Sequence, residues 1–155
     1  MGTFIWNANP AKWNVVPPAM NSWDALKAYI TDPSGYVYWS TPVLHGRIKI
    51  GDGAFIWRTK YRDYENGIVA VGRVEEVPRQ LSPSTHRLFS LPQRLLAAGW
   101  NEAQAPSSWK TGIRITRQFW NAPLQPNIST YQGTVRQLGD DETQAVEAEI
   151  NSRKD

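Results

Sequence analysis

The chain of 155 residues has no cysteine, which excludes disulfide frameworks, thiolate zinc sites and cysteine nucleophiles. Histidine is nearly as scarce. His45 and His86 stand far apart, neither has a metal-ligand partner at short spacing, and both read as surface or turn residues. No stretch approaches the roughly 18 consecutive apolar residues of a membrane span, and the N-terminus lacks the basic-then-apolar layout of a secretory signal. The expectation is a cytoplasmic protein that does not engage a membrane. A Gly-x-Gly-x-x-Gly turn, a phosphate-binding loop and a nucleophile elbow are also missing, so the usual catalytic constellations do not assemble. Neither enzymatic activity nor a cofactor nor a metal is expected.

What the chain has in excess is tryptophan. Eight in 155 residues is well above the roughly one or two per hundred of ordinary globular chains. The formal net charge is +3, and it is unevenly spread. Arg47, Lys49, Arg58, Lys60 and Arg62 crowd one stretch, whereas Asp140, Asp141, Glu142, Glu147 and Glu149 crowd the tail. Without that tail the body is distinctly basic, which suits a polyanionic partner. Aromatic planes beside cations suit nucleic acid in particular, because bases stack on indoles and phosphates pair with Lys and Arg.

Strand patterns dominate. Candidates are Phe4 to Ala8, Tyr36 to Trp39, Ala54 to Arg58, Gly67 to Val74, Lys110 to Arg117 and Gly133 to Leu138. Gly72 inside the fourth suggests a bulge or a close backbone contact. Helices are expected at Ser22 to Ile30, over 92–98, and in the tail from an Asp cap at residue 140. Stretches 78–109 and 121–132 read as loops. The strands and helices do not alternate as in a doubly wound sheet, so a mixed α+β fold with a small curved barrel-like sheet and peripheral helices is expected. One domain is expected over 3–150, with 151–155 as its C-terminal end or the start of a linker.

The blocks "NANPAKWNV", "YWSTPVLHGRIKIGDGAFIWRT", "NGIVAVGRVEEVP" and "GTVRQLGDDETQAVEAEI" follow one another along the chain. Their order resembles that of an EVE domain, within the PUA-like superfamily. The form is most similar to EVE domains at the N-termini of modification-dependent restriction enzymes, and more distantly to YTH readers. The resemblance implies a pseudo-barrel with flanking helices and a pocket for one flipped, methylated base in DNA. It also implies a nuclease or NTPase module, fused or in trans. RNA is the alternative ligand, since YTH-like relatives bind single strands, and a nucleoside enzyme using the same pocket is a more remote alternative.

Carried over residue by residue, Asn9, Pro10 and Trp13 match the first loop of the family. Trp39, Ser40 and Thr41 resemble its Trp-Ser-Thr turn, with Trp57, Arg58 and Thr59 at the strand end facing it. Tyr61 and Tyr64 stand where a longer hairpin could cover the pocket. Arg47, Lys49, Arg58, Lys60 and Arg62 are the expected phosphate contacts. Gly51-Asp52 reads as a structural turn feeding a strand. Trp6, inside the first strand, reads as core. The stretches 58–67 and 78–109 depart from the family pattern, and these are where base identity and flanking sequence would be read.

Overall fold

A computed structural model describes residues 2–8, 35–41, 43–58, 66–81, 108–126, 128 and 135–153. The expected strands form a single six-stranded sheet. These are β1 (Thr3–Ala8), β2 (Tyr36–Ser40), β3 (Gly53–Arg58), β4 (Gly67–Leu81), β5 (Ser108–Gln118) and β6 (Val135–Gln137). Their spatial order is β2-β5-β4-β3-β1-β6. β1 and β3 run parallel, and the other neighbours are antiparallel.

Period-two alternation gives the sheet two apolar faces. Phe4, Trp6, Val37, Trp39, Ile56 and Ile113 cluster on one face, and Ile5, Phe55, Ile68, Val71, Phe119 and Leu124 on the other. The first face is concave. In a flat sheet of this order, four strand spacings of about 4.8 Å would hold β2 about 19 Å from β1. Instead the Trp6 indole N–H donates to Thr41 Oγ1, just past β2, across 3.3 Å. The sheet therefore curls until its distant strands touch, the PUA-like arrangement of a curved open sheet.

Two glycines permit that curvature. At Gly72 the register shifts, and a Cβ there would lie 1.9 Å from the carbonyl oxygen of Arg114, so β4 and β5 can approach only without a side chain. At Gly112 the Tyr36 hydroxyl crosses the strand to donate to Glu76 at 2.5 Å, through space a Cβ would occupy.

The second face is closed by α1 (Asp140–Ser152), which buries Val146 completely against it. Burying one such side chain contributes about 1.5–3 kcal/mol. Gly139, not an Asp, is the N-cap; its N–H donates to Glu142, whose carboxylate also receives both terminal nitrogens of Arg136 at 3.0 Å. Asp140 and Asp141 fall in the first turn, where the helix dipole favours them. The last turn carries no basic residue of its own. Arg117 of β5 substitutes, donating to the carbonyls of Ile150 and Arg153 at 3.3 and 2.5 Å.

Two expected loops are partly sheet. β4 runs on to Leu81 and β5 begins at Ser108, shortening the stretch 78–109 at both ends. Pro78 does not end β4. It has no N–H for a ladder, but it sits where the register breaks between Glu76 and Arg79. Within 121–132, Leu124 exchanges both backbone hydrogen bonds with Ile68 and is fully buried. The helices expected at Ser22 to Ile30 and over 92–98 lie outside the described residues.

Candidate nucleic-acid interface

The strands bring the Trp39–Ser40–Thr41 end of β2 against the middle of β1, and Thr41 is the seam. Its Oγ1 lies 2.6 Å from Thr111 Oγ1, 3.0 Å from the Trp39 carbonyl oxygen and 3.3 Å from Trp6 Nε1. A hydroxyl offers one proton and two lone pairs. The indole can only donate and the carbonyl only accept, so Thr41 gives its proton to Trp39 and Thr111 gives its own to Thr41. All three positions are filled. The backbone of Thr41 is equally engaged, its N–H on the Trp109 carbonyl at 2.9 Å and its carbonyl accepting from His45 Nε2 at 2.7 Å. That last bond puts the ring proton of His45 on Nε2, and the ring stacks on Trp109 with centroids 3.7 Å apart. Thr41 was expected to line the base pocket as part of the Trp-Ser-Thr turn; its hydroxyl already has all three hydrogen-bond positions filled within the protein. It positions the turn instead.

Arg58 is two residues beyond Ile56, the partner of Trp6 in the β1–β3 ladder. It ends β3 in register with Ala8 of β1, and alternation from Ala54 and Ile56 turns it to the concave side. It is 5% exposed, a planar cation with five donors set into the curl of the sheet. Because β1 and β3 are parallel and paired in register, Ala8 and Arg58 end them side by side. Asn9 and Pro10 come directly after Ala8, and Thr59 and Lys60 directly after Arg58. These four, with Trp13, Tyr61, Arg62 and Tyr64, lie outside the described residues.

Of the remaining expected site residues, Trp39 packs in the concave cluster with Trp6, which is fully buried as expected of core. Ser40 pairs with Lys110 in the β2–β5 ladder. Trp57 does not face Trp39. It is the odd residue of an alternation whose even members point inward, and it packs on the convex cluster beneath α1. Arg47 and Lys49 are exposed on the turn that precedes β3, at the opposite end of that strand from Arg58. Six residues of strand place them about 20 Å from it. The Gly51-Asp52 turn is structural, as expected: the buried Asp52 carboxylate accepts the backbone N–H groups of Lys49 and Gly2 at 2.8 and 3.1 Å.

Three residues were missed by the sequence reading. Thr111 completes the hydroxyl pair. Trp120 packs on the concave cluster, with its indole N–H on Gln118 at 2.6 Å. Alternation from Ile113 and Ile115 points Trp120 the wrong way; the register shift between Val71 and Gly72 reverses the facing beyond Ile115 and turns Trp120 inward. Lys110 is 5% exposed, and burial pushes its amine down to about 8. Nothing in the sequence marked it. Across the sheet from the seam, a groove of about 500 Å³ between the strands and α1 is lined by Arg73, Arg117, Thr143 and Glu147. Among the described residues no three of His, Cys, Asp and Glu gather as metal ligands, and no helix is long and apolar enough to cross a membrane.

No family model matches the chain, and no curated protein matches it in sequence. Solved structures do match in fold, and together with the curled sheet they define it as PUA-like. Human THYN1, solved in complex with DNA containing 5-methylcytosine, aligns over 96% of this chain and 98% of its own at 13% identity, with a TM-score of 0.54. A hypothetical protein from Leishmania major aligns over 99% and 98% at 11% identity and a TM-score of 0.53. An ASCH protein from Zymomonas mobilis aligns over 94% of both chains at 15% identity and a TM-score of 0.50. At these identities the likeness is one of fold, and it does not single out the EVE branch.

Proposed function

We propose that the chain is a non-catalytic reader of modified DNA, which draws one methylated base out of the duplex to the place where β1, β2 and β3 converge. The observation that carries this reading is the seam itself. A saturated hydroxyl network fixes the Trp39 turn against β1, and the buried Arg58 ends the neighbouring strand β3. Rigid aromatic walls with a few fixed polar groups are what a flipped base requires. The order of sequence blocks supports the EVE branch, and with it a role as recognition module beside a nuclease or NTPase. The shared fold with a protein solved on 5-methylcytosine DNA supports the ligand class.

The energetics constrain how such a site discriminates. A fully buried methyl contributes ~0.8 kcal/mol, about a fourfold preference. Larger discrimination comes from polar groups that the unmodified base leaves unsatisfied. The test is a panel of duplexes carrying 5-methylcytosine, N6-methyladenine or neither, titrated at one salt concentration, with a matched RNA competitor. Preference for one methylated duplex, reduced in Trp39→Phe, is the expected outcome. Equal affinity for every duplex, or displacement by the RNA, overturns the reading.

A further inference from the structure

The turn over residues 43–51 is unusual for an exposed loop: it is stiff, cationic and tipped with an apolar side chain. Ile48 anchors it, 1% exposed in the concave cluster. The Arg47 N–H donates to the Leu44 carbonyl at 3.0 Å and the Gly51 N–H to that of Val74 at 2.9 Å, while Asp52 holds the N–H of Lys49. Leu44 is held in the left-handed region, at φ 66°, which a non-glycine residue adopts only where its surroundings impose it. On this frame Ile50 is 68% exposed.

The exposed charges on the turn itself are positive, and the carboxylate that follows it, Asp52, is buried. Arg47 and Lys49 are exposed and have no ion-pair partner among the described residues. Arg73 reaches the end of the turn, its guanidinium donating to the Gly51 carbonyl across 3.3 Å. The nearby carboxylates are engaged: Asp52 by backbone N–H groups, Glu75 by Arg114, and Glu76 by Tyr36 and Arg79. Three cations around a rigid aliphatic point complement a phosphate-lined groove. An isoleucine driven between base steps from the minor groove unstacks and bends a duplex. A single strand would call for aromatic platforms, and the turn offers none, since His45 is already stacked on Trp109.

We infer that the turn over 43–51 grips the body of duplex DNA, with Arg47, Lys49 and Arg73 on phosphates and Ile50 inserted as a minor-groove wedge. This rests on the DNA-reading function proposed above. The turn stands about 20 Å from Arg58, or on the order of six base-pair steps. Ile50 is too far to plug the gap left by a flipped base; it bends the duplex so that both contacts can be made.

The test uses the full chain with an end-labelled duplex, reading affinity and end-to-end energy transfer together. Ile50→Ala is expected to weaken duplex binding about tenfold and to reduce the bend, with binding of a short methylated single strand unchanged. Arg47→Ala combined with Lys49→Ala should flatten the dependence of log K on log salt by about 1.8 and leave the ratio of methylated to unmodified affinity intact. An Ile50→Ala protein that binds and bends DNA like the wild type overturns the inference, as does equal binding of an A-form RNA duplex. If the wild type discriminates methylated DNA while the turn variants are silent, the inference fails and the reading stands. If the wild type fails to discriminate while the variants still lose affinity, the reading fails and the turn stands.

Discussion

The two faces of the curled sheet are built differently. The convex face is a conventional apolar seal, with Ile5, Phe55, Ile68 and Val71 closed over by Val146 of α1. The concave face is equally well buried but has polar groups set into it: Thr41 and Thr111 fully buried, and Arg58 at 5% exposure. Burying a polar group without partners costs about 1–3 kcal/mol, and an apolar residue would fill the same space without that demand. The difference teaches where to look for function. The convex face is closed chiefly by apolar packing under α1; the concave face carries the Thr41–Thr111 hydroxyl network and is where the proposed reading puts the site.

The largest effect expected from breaking this division comes from Val146→Asp. A carboxylate placed at a fully buried position against Phe55 and Leu124 must either lose its charge or expel the helix. A loss of about 4 kcal/mol is expected, read as a lower urea midpoint with unchanged slope. In the fraction that remains folded, the preference for methylated over unmodified DNA should persist. Its disappearance would mean that the convex face also shapes the site.

Lys110 tests the boundary between the faces. It precedes Thr111 on β5, so alternation turns it away from the concave cluster, yet it is 5% exposed. Burial lowers its amine from 10.5 to about 8. Between those values the unfolded chain holds a proton that the folded chain has released, so stability rises with pH across that window. Below about 8 both states are charged, and the full cost of burying the ammonium remains. The rise has an upper limit of about 3 kcal/mol. Chemical denaturation from pH 7 to 10.5 should show it in the wild type and not in Lys110→Met; matching profiles would refute the burial.

Thr41→Val separates positioning from reading. Valine keeps the shape but leaves the Trp6 N–H and the Thr111 hydroxyl without their partner, at about 2 kcal/mol. If Thr41 positions the Trp39 turn, stability and DNA affinity fall together and Thr41→Ser restores both. A valine variant as stable as the wild type but blind to methylation would show that the hydroxyl reads the base after all.

How much of this was legible beforehand follows from the reach of each signal. Strand periodicity is local, and all six strands were found, with errors at their ends where Pro78 and the Gly139 cap decide by geometry. The Gly51-Asp52 turn and the close approach at Gly72 were legible because backbone constraints write themselves into residue type. Facing was not. Trp39 and Trp57 look alike as aromatics at strand ends, but one residue of register sends Trp57 to the opposite side of the sheet. The saturation of Thr41 was also hidden, because it depends on residues 35 and 70 positions away meeting across the curl.

The smallest effect expected is the most demanding check on the division of faces. Arg117 leaves β5 on the convex side, lies 5.1 Å from the Phe119 ring centroid, and donates to the carbonyls of Ile150 and Arg153 at the end of α1. It supplies the positive charge that the last turn lacks, a favourable contact with the negative end of the helix dipole. Arg117→Ala should therefore cost about 1 kcal/mol, a fall of about 2–4 °C in Tm for a chain of this size. Arg117→Lys, which keeps the charge and loses the fork, should fall between. Because the interaction closes the convex seal alone, neither variant should alter the ratio of methylated to unmodified affinity or the slope of binding against salt. A reduced salt slope in Arg117→Ala would extend the phosphate contacts from the turn over 43–51 to the end of α1, and the two faces could then no longer be divided into seal and site.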